Sequence, residues 1–191
     1  TQFRVGSKRI WLNGANTPWD NWDDFGGNFH AGFWDSHFQQ LNANGINSTR
    51  IWITCSPENQ AILINDAGFV SGVSSLFWNH VDQLMNIARN RKVYVMMALI
   101  SFDHTKNATG YPHYYRYRNM MTSQANANSF PDNFVKPLVQ RYNSNPYLFS
   151  IDVCNEIIWM HEDANNGQFA WPIIQYYIAK VAATVHQNSN I

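Results

Sequence analysis

The sequence predicts an α/β fold in which four parallel strand–helix units follow an N-terminal β-hairpin. Three observations carry this. Short β-branched or continuously apolar runs alternate with segments whose apolar residues recur at helical spacing. The segments that follow the later strands are long, polar and aromatic, whereas the returns from helix to strand are short. Strands that alternate with helices pair in parallel, because each crossover brings the chain back to the same end of the sheet.

Taken in order, Phe3–Val5 and Ile10–Leu12 flank a glycine-containing turn, Gly6-Ser7-Lys8-Arg9, and read as a hairpin. The chain continues through Asn13-Gly14-Ala15-Asn16, the first strand, into a loop over Thr17–Gly27 that holds Trp19 and Trp22. Trp34, Phe38 and Leu41 recur at helical spacing between about Ala31 and Ala43, and Asn44-Gly45 supplies a C-terminal stop. Ile46–Thr54 is a β-branched run, the second strand, followed by a loop. Phe77, Val81, Leu84, Met85 and Ala88 form one helix face, which ends at the cations Arg89, Arg91 and Lys92. Val93–Ile100 is almost continuously apolar, as a strand covered on both faces reads. Ser101 to about Ala127 reads as a polar, aromatic loop. Phe134, Leu138, Val139 and Tyr142 predict a third helix, with Pro137 inside it as a site of kinking or an early break. Tyr147–Val153 is the fourth strand. Pro172 opens a helix carrying Ile173, Ile174, Tyr177, Ile178, Val181, Ala182 and Val185. No linker or low-complexity segment interrupts the 191 residues, so 1–191 reads as one domain.

Composition narrows the function. Thirteen basic residues balance thirteen acidic ones, without the surplus expected of a nucleic-acid binder. No apolar run is long enough to span a bilayer. Eight Trp and nine Tyr exceed what a small core requires and suit a surface that stacks on flat, uncharged rings, although a Trp-rich core gives the same count. Only three glutamates occur, Glu58, Glu156 and Glu162, so any catalytic glutamate is one of them. Cys55 and Cys154 follow different strands and are expected as free thiols. Thr1-Gln2-Phe3 resembles a processed start rather than a signal segment. Asn47-Ser48-Thr49 and Asn107-Ala108-Thr109 match the glycosylation pattern, which is frequent by chance in an Asn-rich chain.

Chemistry gathers at the strand ends. Asn155-Glu156 stands where the fourth strand runs out, and aromatic neighbours there would desolvate the carboxyl and raise its pKa for acid/base work. From spacing alone, a surface dipeptide reads the same. Arg50 lies within the apolar second strand and must be paired, by a carboxylate at the strand ends or by reaching the rim. Asp103-His104 ends the third strand, where His104 is either a catalyst or a satisfied hydrogen-bonder. Asn16 ends the first. The loops add Trp19, Trp22, Tyr111, His113, Tyr114, Tyr115, Tyr117, Trp159 and His161, of which two or three are expected to touch ligand. No phosphate loop, zinc spacing or Gly-x-Ser-x-Gly elbow occurs, so neither a cofactor nor a metal is expected.

These segments resemble glycoside hydrolase family 5, of the retaining (β/α)8-barrel hydrolases, along nearly the whole chain. Phe3–Trp19, with Arg9–Asn16 within it, is similar to the opening hairpin and first strand of its mannanase-like members. Asn44–Trp52 is similar to the second strand with its active-site arginine. Val93–His104 resembles the third strand, and Asn145–Glu156 resembles the segment carrying the acid/base Asn-Glu. One departure is Ile157, where the family usually has Pro.

The resemblance implies half of a (β/α)8 TIM barrel, strands 1 to 4 with their helices. Glu156 matches the general acid/base, Asn155 the amide near the sugar 2-hydroxyl, Arg50 the supporting arginine, and His104 the strand-3 histidine. Asn16, Trp19, Trp22, Asp103, Tyr114 and Trp159 are the expected substrate-binding residues. The implied function is a secreted retaining β-glycan hydrolase, of endo-β-mannanase or endoglucanase type, acting on a β-linked polysaccharide or oligosaccharide. Its nucleophile belongs at the end of strand 7, beyond the resemblance. The expected partner is therefore a second half-barrel, either another copy or a C-terminal half. If two copies closed a barrel with twofold symmetry, the partner's strand 3 would take the place of strand 7 and bring Asp103 near the nucleophile position. The alternatives are a non-catalytic carbohydrate-binding half-barrel, an inactive fragment, or a scaffold with no affinity for glycans.

Overall fold

The computed structural model describes residues 3–58, 61–108 and 110–191. Thr1, Gln2 and Thr109, which enter the readings of the chain start and of the second glycosylation pattern, lie outside the described residues. Gly6, at φ 59°, closes a two-residue turn. β1 (Arg4–Val5) therefore pairs antiparallel with β2 (Lys8–Arg9), and the expected Ile10–Leu12 strand starts earlier, within the residues read as turn.

Four parallel strands form the central sheet: β3 (Gly14–Asn16), β4 (Ser48–Trp52), β7 (Tyr94–Ala98) and β8 (Leu148–Asp152), in that spatial order. This is the predicted α/β arrangement, with each strand shorter than its apolar run. The pleat sorts the side chains. Ile51, Ile53, Val95, Met97 and Leu99 face the helices and have no exposure, whereas Arg50, Trp52, Tyr94 and Met96 on the alternate face stay partly exposed. The run Val93–Ile100 reads as covered on both faces; the helix side is covered throughout, whereas the other face is covered at Ala98 and Ile100 and partly exposed at Tyr94 and Met96.

α1 (Ala31–Ala43) buries Trp34, Phe38 and Leu41, and ends as the Ile46 amide donates back to the Leu41 carbonyl at 2.9 Å past Gly45. β5 (Ile62–Ile64) and β6 (Val70–Val73) form a hairpin in the segment that had read as a loop. α2 (Ser75–Arg91) begins where the Ser74 hydroxyl accepts the Phe77 amide. Arg91 clamps Asp35 of α1 with two hydrogen bonds of 2.8 and 2.6 Å.

The polar stretch 101–127 is also not a loop. It contains α3 (Pro112–Thr122) and most of α4 (Gln124–Phe130). Tyr117, Met120 and Met121 recur at helical spacing and are buried, a signal hidden by the polar residues between them. After a π-helical turn, Pro131–Val135, the chain enters α5 (Lys136–Tyr142). The wider turn lies just before Pro137, where a regular helix would press the proline ring against the carbonyl four residues back. α6 (Trp159–Glu162) follows β8, and α7 (Trp171–Asn188) buries Ile174, Tyr177, Val181 and Val185. Sheet and helices share one hydrophobic core. Among the described residues no helix is long and apolar enough to cross a membrane, and Cys55 and Cys154 are free and buried, as expected.

The amide of Asn47 is fully engaged. It accepts from the Asn13 amide at 2.8 Å and donates to the Trp11 carbonyl at 2.7 Å, while Ser48 and Thr49 are buried in β4. The first glycosylation pattern is thus locked into the sheet.

The β5–β6 hairpin is fastened to the helices after β7. Asn119 and Asn126 donate to the carbonyls of Asp66 and Ala67 at 2.8 and 2.6 Å. Gly68 lies so close that an added Cβ would stand 2.2 Å from the Met120 nitrogen, at φ 88°. Gly68→Ala is expected to cost about 2–4 kcal/mol by urea denaturation. Gly6→Ala, with open space around it, should cost about 1 kcal/mol through its backbone alone.

Candidate active site

Arg50 lies on the open face of β4 and reaches across β7 to the end of β8. Its Nε and Nη2 both donate to Asp152 Oδ2, at 2.9 and 2.5 Å, and Nη2 also donates to Asn155 Oδ1 at 3.0 Å. The paired side chains are 23% and 26% exposed, sheltered enough for the ion pair to escape full screening by water. The charge required to pair Arg50 is therefore Asp152, a residue not among the expected site residues. The signal was present, because two opposite charges in apolar strands of one sheet are natural partners.

Asp152 uses its other oxygen as well. Oδ1 accepts the Cys154 amide at 3.3 Å and so shapes the turn that leaves β8. Asn155 is then held on all sides. Its backbone bonds to Ile100 and Phe102 at 2.9 and 3.0 Å, and its Nδ2 donates to Ser101 Oγ at 3.2 Å. The next residue, Glu156, has a left-handed backbone with φ 49°, an uncommon conformation for a side chain of this kind. Its side chain is exposed. The expected enclosure by aromatic neighbours is thus not found among the described residues.

His104 is placed differently from its expected catalytic role. It has no exposure. Its Nδ1 accepts the Ser101 amide at 3.2 Å, its Nε2 lies 3.5 Å from Thr54 Oγ1, and Tyr117 meets it edge-on at 4.9 Å. A group so enclosed fixes the end of β7 and has no surface open to solvent. Asp103 sits beside it at 3.7 Å, with a side chain 15% exposed. Burial pushes its carboxyl up, but His104, Ser101 and Lys106 outweigh this and hold it below the ordinary range. A nucleophile must reach a sugar carbon. Packed in this way, Asp103 is largely enclosed.

The expected binding residues separate into groups. Asn16 is exposed and lies beside Arg50 in the β3–β4 register. Trp19 packs edge-on against Trp22 at 4.8 Å and Trp52 at 5.1 Å, and the Arg50 guanidinium lies 5.7 Å from the Trp52 ring centre. Trp52 thus links the tryptophan loop to the arginine and was missed because it looked like a strand core residue. Trp22 and Trp159 are 45% and 44% exposed, available for stacking. The Trp159 amide donates to the Glu156 carbonyl at 3.0 Å. Tyr114 is half-buried. Burial pushes its phenol up, and the charges of Glu58 and Asp103 add to this. Among the described residues no ring contact joins Tyr114 or Trp159 to the arginine cluster.

The Trp19–Trp22 loop is tied down by Asp24, which accepts the amides of Asp20 and Asn21 at 2.8 and 3.2 Å and has no exposure. Burial, against those two hydrogen bonds, raises its carboxyl from 3.8 to about 6. Among the described residues no group of His, Cys, Asp and Glu side chains is arranged to hold a metal ion.

The fold and these strand-end residues can be set beside known proteins. No protein-family model matches the chain. Mannan endo-1,4-β-mannosidase of Cryptopygus antarcticus is 25% identical over 163 residues, covering 82% of this chain and 40% of that protein. The crystal structure of the β-1,4-D-mannanase from C. antarcticus superposes with a TM-score of 0.81 at 19% identity, over 98% of this chain and 56% of the other. The β-mannanase of the blue mussel Mytilus edulis gives 0.80 at 17% identity, over 99% and 60%. A glycoside hydrolase family 5 protein of Bacteroides vulgatus gives 0.57 at 13% identity, over 95% and 34%. The chain therefore has the fold of the N-terminal part of family 5 barrel mannanases, in keeping with the resemblance in its sequence. It spans less than two thirds of the length of each of these proteins.

Two outcomes follow from the site. Arg50→Ala takes the donors from Asp152 Oδ2 and Asn155 Oδ1 and is expected to cost about 2 kcal/mol in denaturant midpoint analysis. Asp24 has a raised folded-state pKa, so its folded form binds the proton more tightly and stability falls as pH rises from about 4 to about 6. Subtracting the pH–stability curve of Asp24→Asn from that of the parent should isolate that decline.

Proposed function

We propose that this chain carries the acid/base half of a retaining β-mannan hydrolase site. The observation that supports it best is the convergence of Arg50, Asn155 and Glu156 at the carboxyl ends of the parallel strands, where enzymes of barrel architecture place their chemistry. The similarity to proteins named as mannanases supports mannan over glucan as the substrate.

In this reading a glycan lies across the strand ends, stacked on exposed rings such as Trp22 and Trp159. Glu156 protonates the oxygen of the leaving sugar and then, as a base, activates the water that releases the product. Asn155 holds a hydroxyl of the sugar at the cleavage point, and Arg50 supplies positive charge beside it. A second carboxylate, about 5 Å from the first, forms the glycosyl-enzyme in this mechanism. We place it on a second half-barrel that pairs with the edges of β3 and β8. A C-terminal half fits this role better than another copy, because a copy would have to use the enclosed Asp103. A polymeric substrate of this kind also goes with a location outside the cell.

A non-catalytic, glycan-binding half-barrel is the second reading. It is favoured by the exposure of Glu156. Release of reducing ends from β-1,4-mannan and from carboxymethyl cellulose separates the two. The hydrolase reading expects mannan to be cleaved by the chain joined to its second half. Glu156→Gln should then lower turnover about 10²–10⁴-fold while ligand is retained. Binding of β-1,4-mannohexaose with no turnover under any pairing would favour the second reading.

A further inference from the structure

We infer that Asp152 is a positioning residue that sets the backbone of Glu156, acting through both of its carboxylate oxygens. The inference rests on the reading that Glu156 is the working carboxyl, and it assigns the device that holds it in place.

One oxygen of Asp152 takes both Arg50 donors, and the guanidinium passes the constraint on to Asn155 Oδ1. The other oxygen takes the Cys154 amide. The two residues before Glu156 are thus gripped by the same carboxylate, Cys154 directly and Asn155 through Arg50. Hydrogen bonds to β7 and the turn after it complete the grip, at Ile100, Ser101 and Phe102. A left-handed backbone at a glutamate is unfavourable and persists only where its surroundings over-determine it. The bonds converging on Cys154 and Asn155 supply that over-determination. Removing the carboxylate frees Cys154 and deprives Arg50 of its partner, so Glu156 is expected to relax to an ordinary backbone.

Asparagine at 152 can still accept the Cys154 amide, but it carries no charge and can turn an amide donor toward Arg50. Arg50→Lys tests the other arm, because an ammonium lacks the planar fork that serves Asp152 and Asn155 together. The experiment uses the 191-residue chain with Asp152→Asn, Asp152→Glu and Arg50→Lys, each first checked for folding by circular dichroism. The readout is the HN–Hα coupling and the Cα and Cβ shifts of Glu156 by NMR, which report positive φ and do not respond to a general loss of stability. The accompanying measurement is affinity for β-1,4-mannohexaose.

The expected result is loss of the left-handed signature in folded Asp152→Asn and Arg50→Lys, partial recovery in Asp152→Glu, and hexaose binding about tenfold weaker in the first two. An unchanged Glu156 signature in folded Asp152→Asn and Arg50→Lys overturns the inference. If the parent chain does not bind the hexaose, the proposed function fails, but the NMR comparison still decides whether Asp152 sets Glu156.

Discussion

An arginine inside an apolar strand needs a counter-charge and enough acceptors, since an unpaired guanidinium there would cost several kcal/mol. Arg50 meets both needs in one direction. It extends over β7, puts two donors on Asp152, and touches Asn155. The strands β4 and β8 are not neighbours in the sheet, so this ion pair fixes how their ends stand relative to one another. Much of the candidate site depends on that constraint: the turn at Cys154, the pinned Asn155, the left-handed Glu156, and the cation beside Trp52.

Around it the structure divides its labour. Groups that fix geometry are buried, as with His104 at the end of β7 and Asp24 beneath the tryptophan loop. Groups that the proposed function assigns to a glycan are exposed, as with Trp22, Trp159 and Glu156. The β5–β6 hairpin and the helices after β7 brace each other, so the loop regions after β4 and β7 are better ordered than their polar sequences suggest. Hydrogen bonds from asparagine side chains to carbonyls do much of this, which gives the Asn-rich composition a structural use.

The four strands of the central sheet and most helices were legible because their patterns are local. β-branched runs, a Gly45 stop and the periodicity of α7 require no knowledge of the rest of the chain. The helices within 101–127 were not legible, because their few buried residues, Tyr117, Met120 and Met121, are outnumbered by polar ones that face away. The hairpin between Ile62 and Val73 was missed for a related reason. Its strands are short, and what secures it is contact with helices about 50 residues later in the chain.

For the site, the sequence by itself determined the strand ends and hence the neighbourhood of Asn16, Arg50, Asp103, His104, Asn155 and Glu156. Strand period and crossover topology bring those ends together without further information. Only the tertiary structure decided what each residue does there. It buried His104 and most of Asp103, left Glu156 exposed, and selected Asp152 as the partner of Arg50. Burial and pairing depend on which side chains meet across strands that lie about 50 and 100 residues apart in the chain. A linear pattern records the types of those residues but not the direction in which each one points.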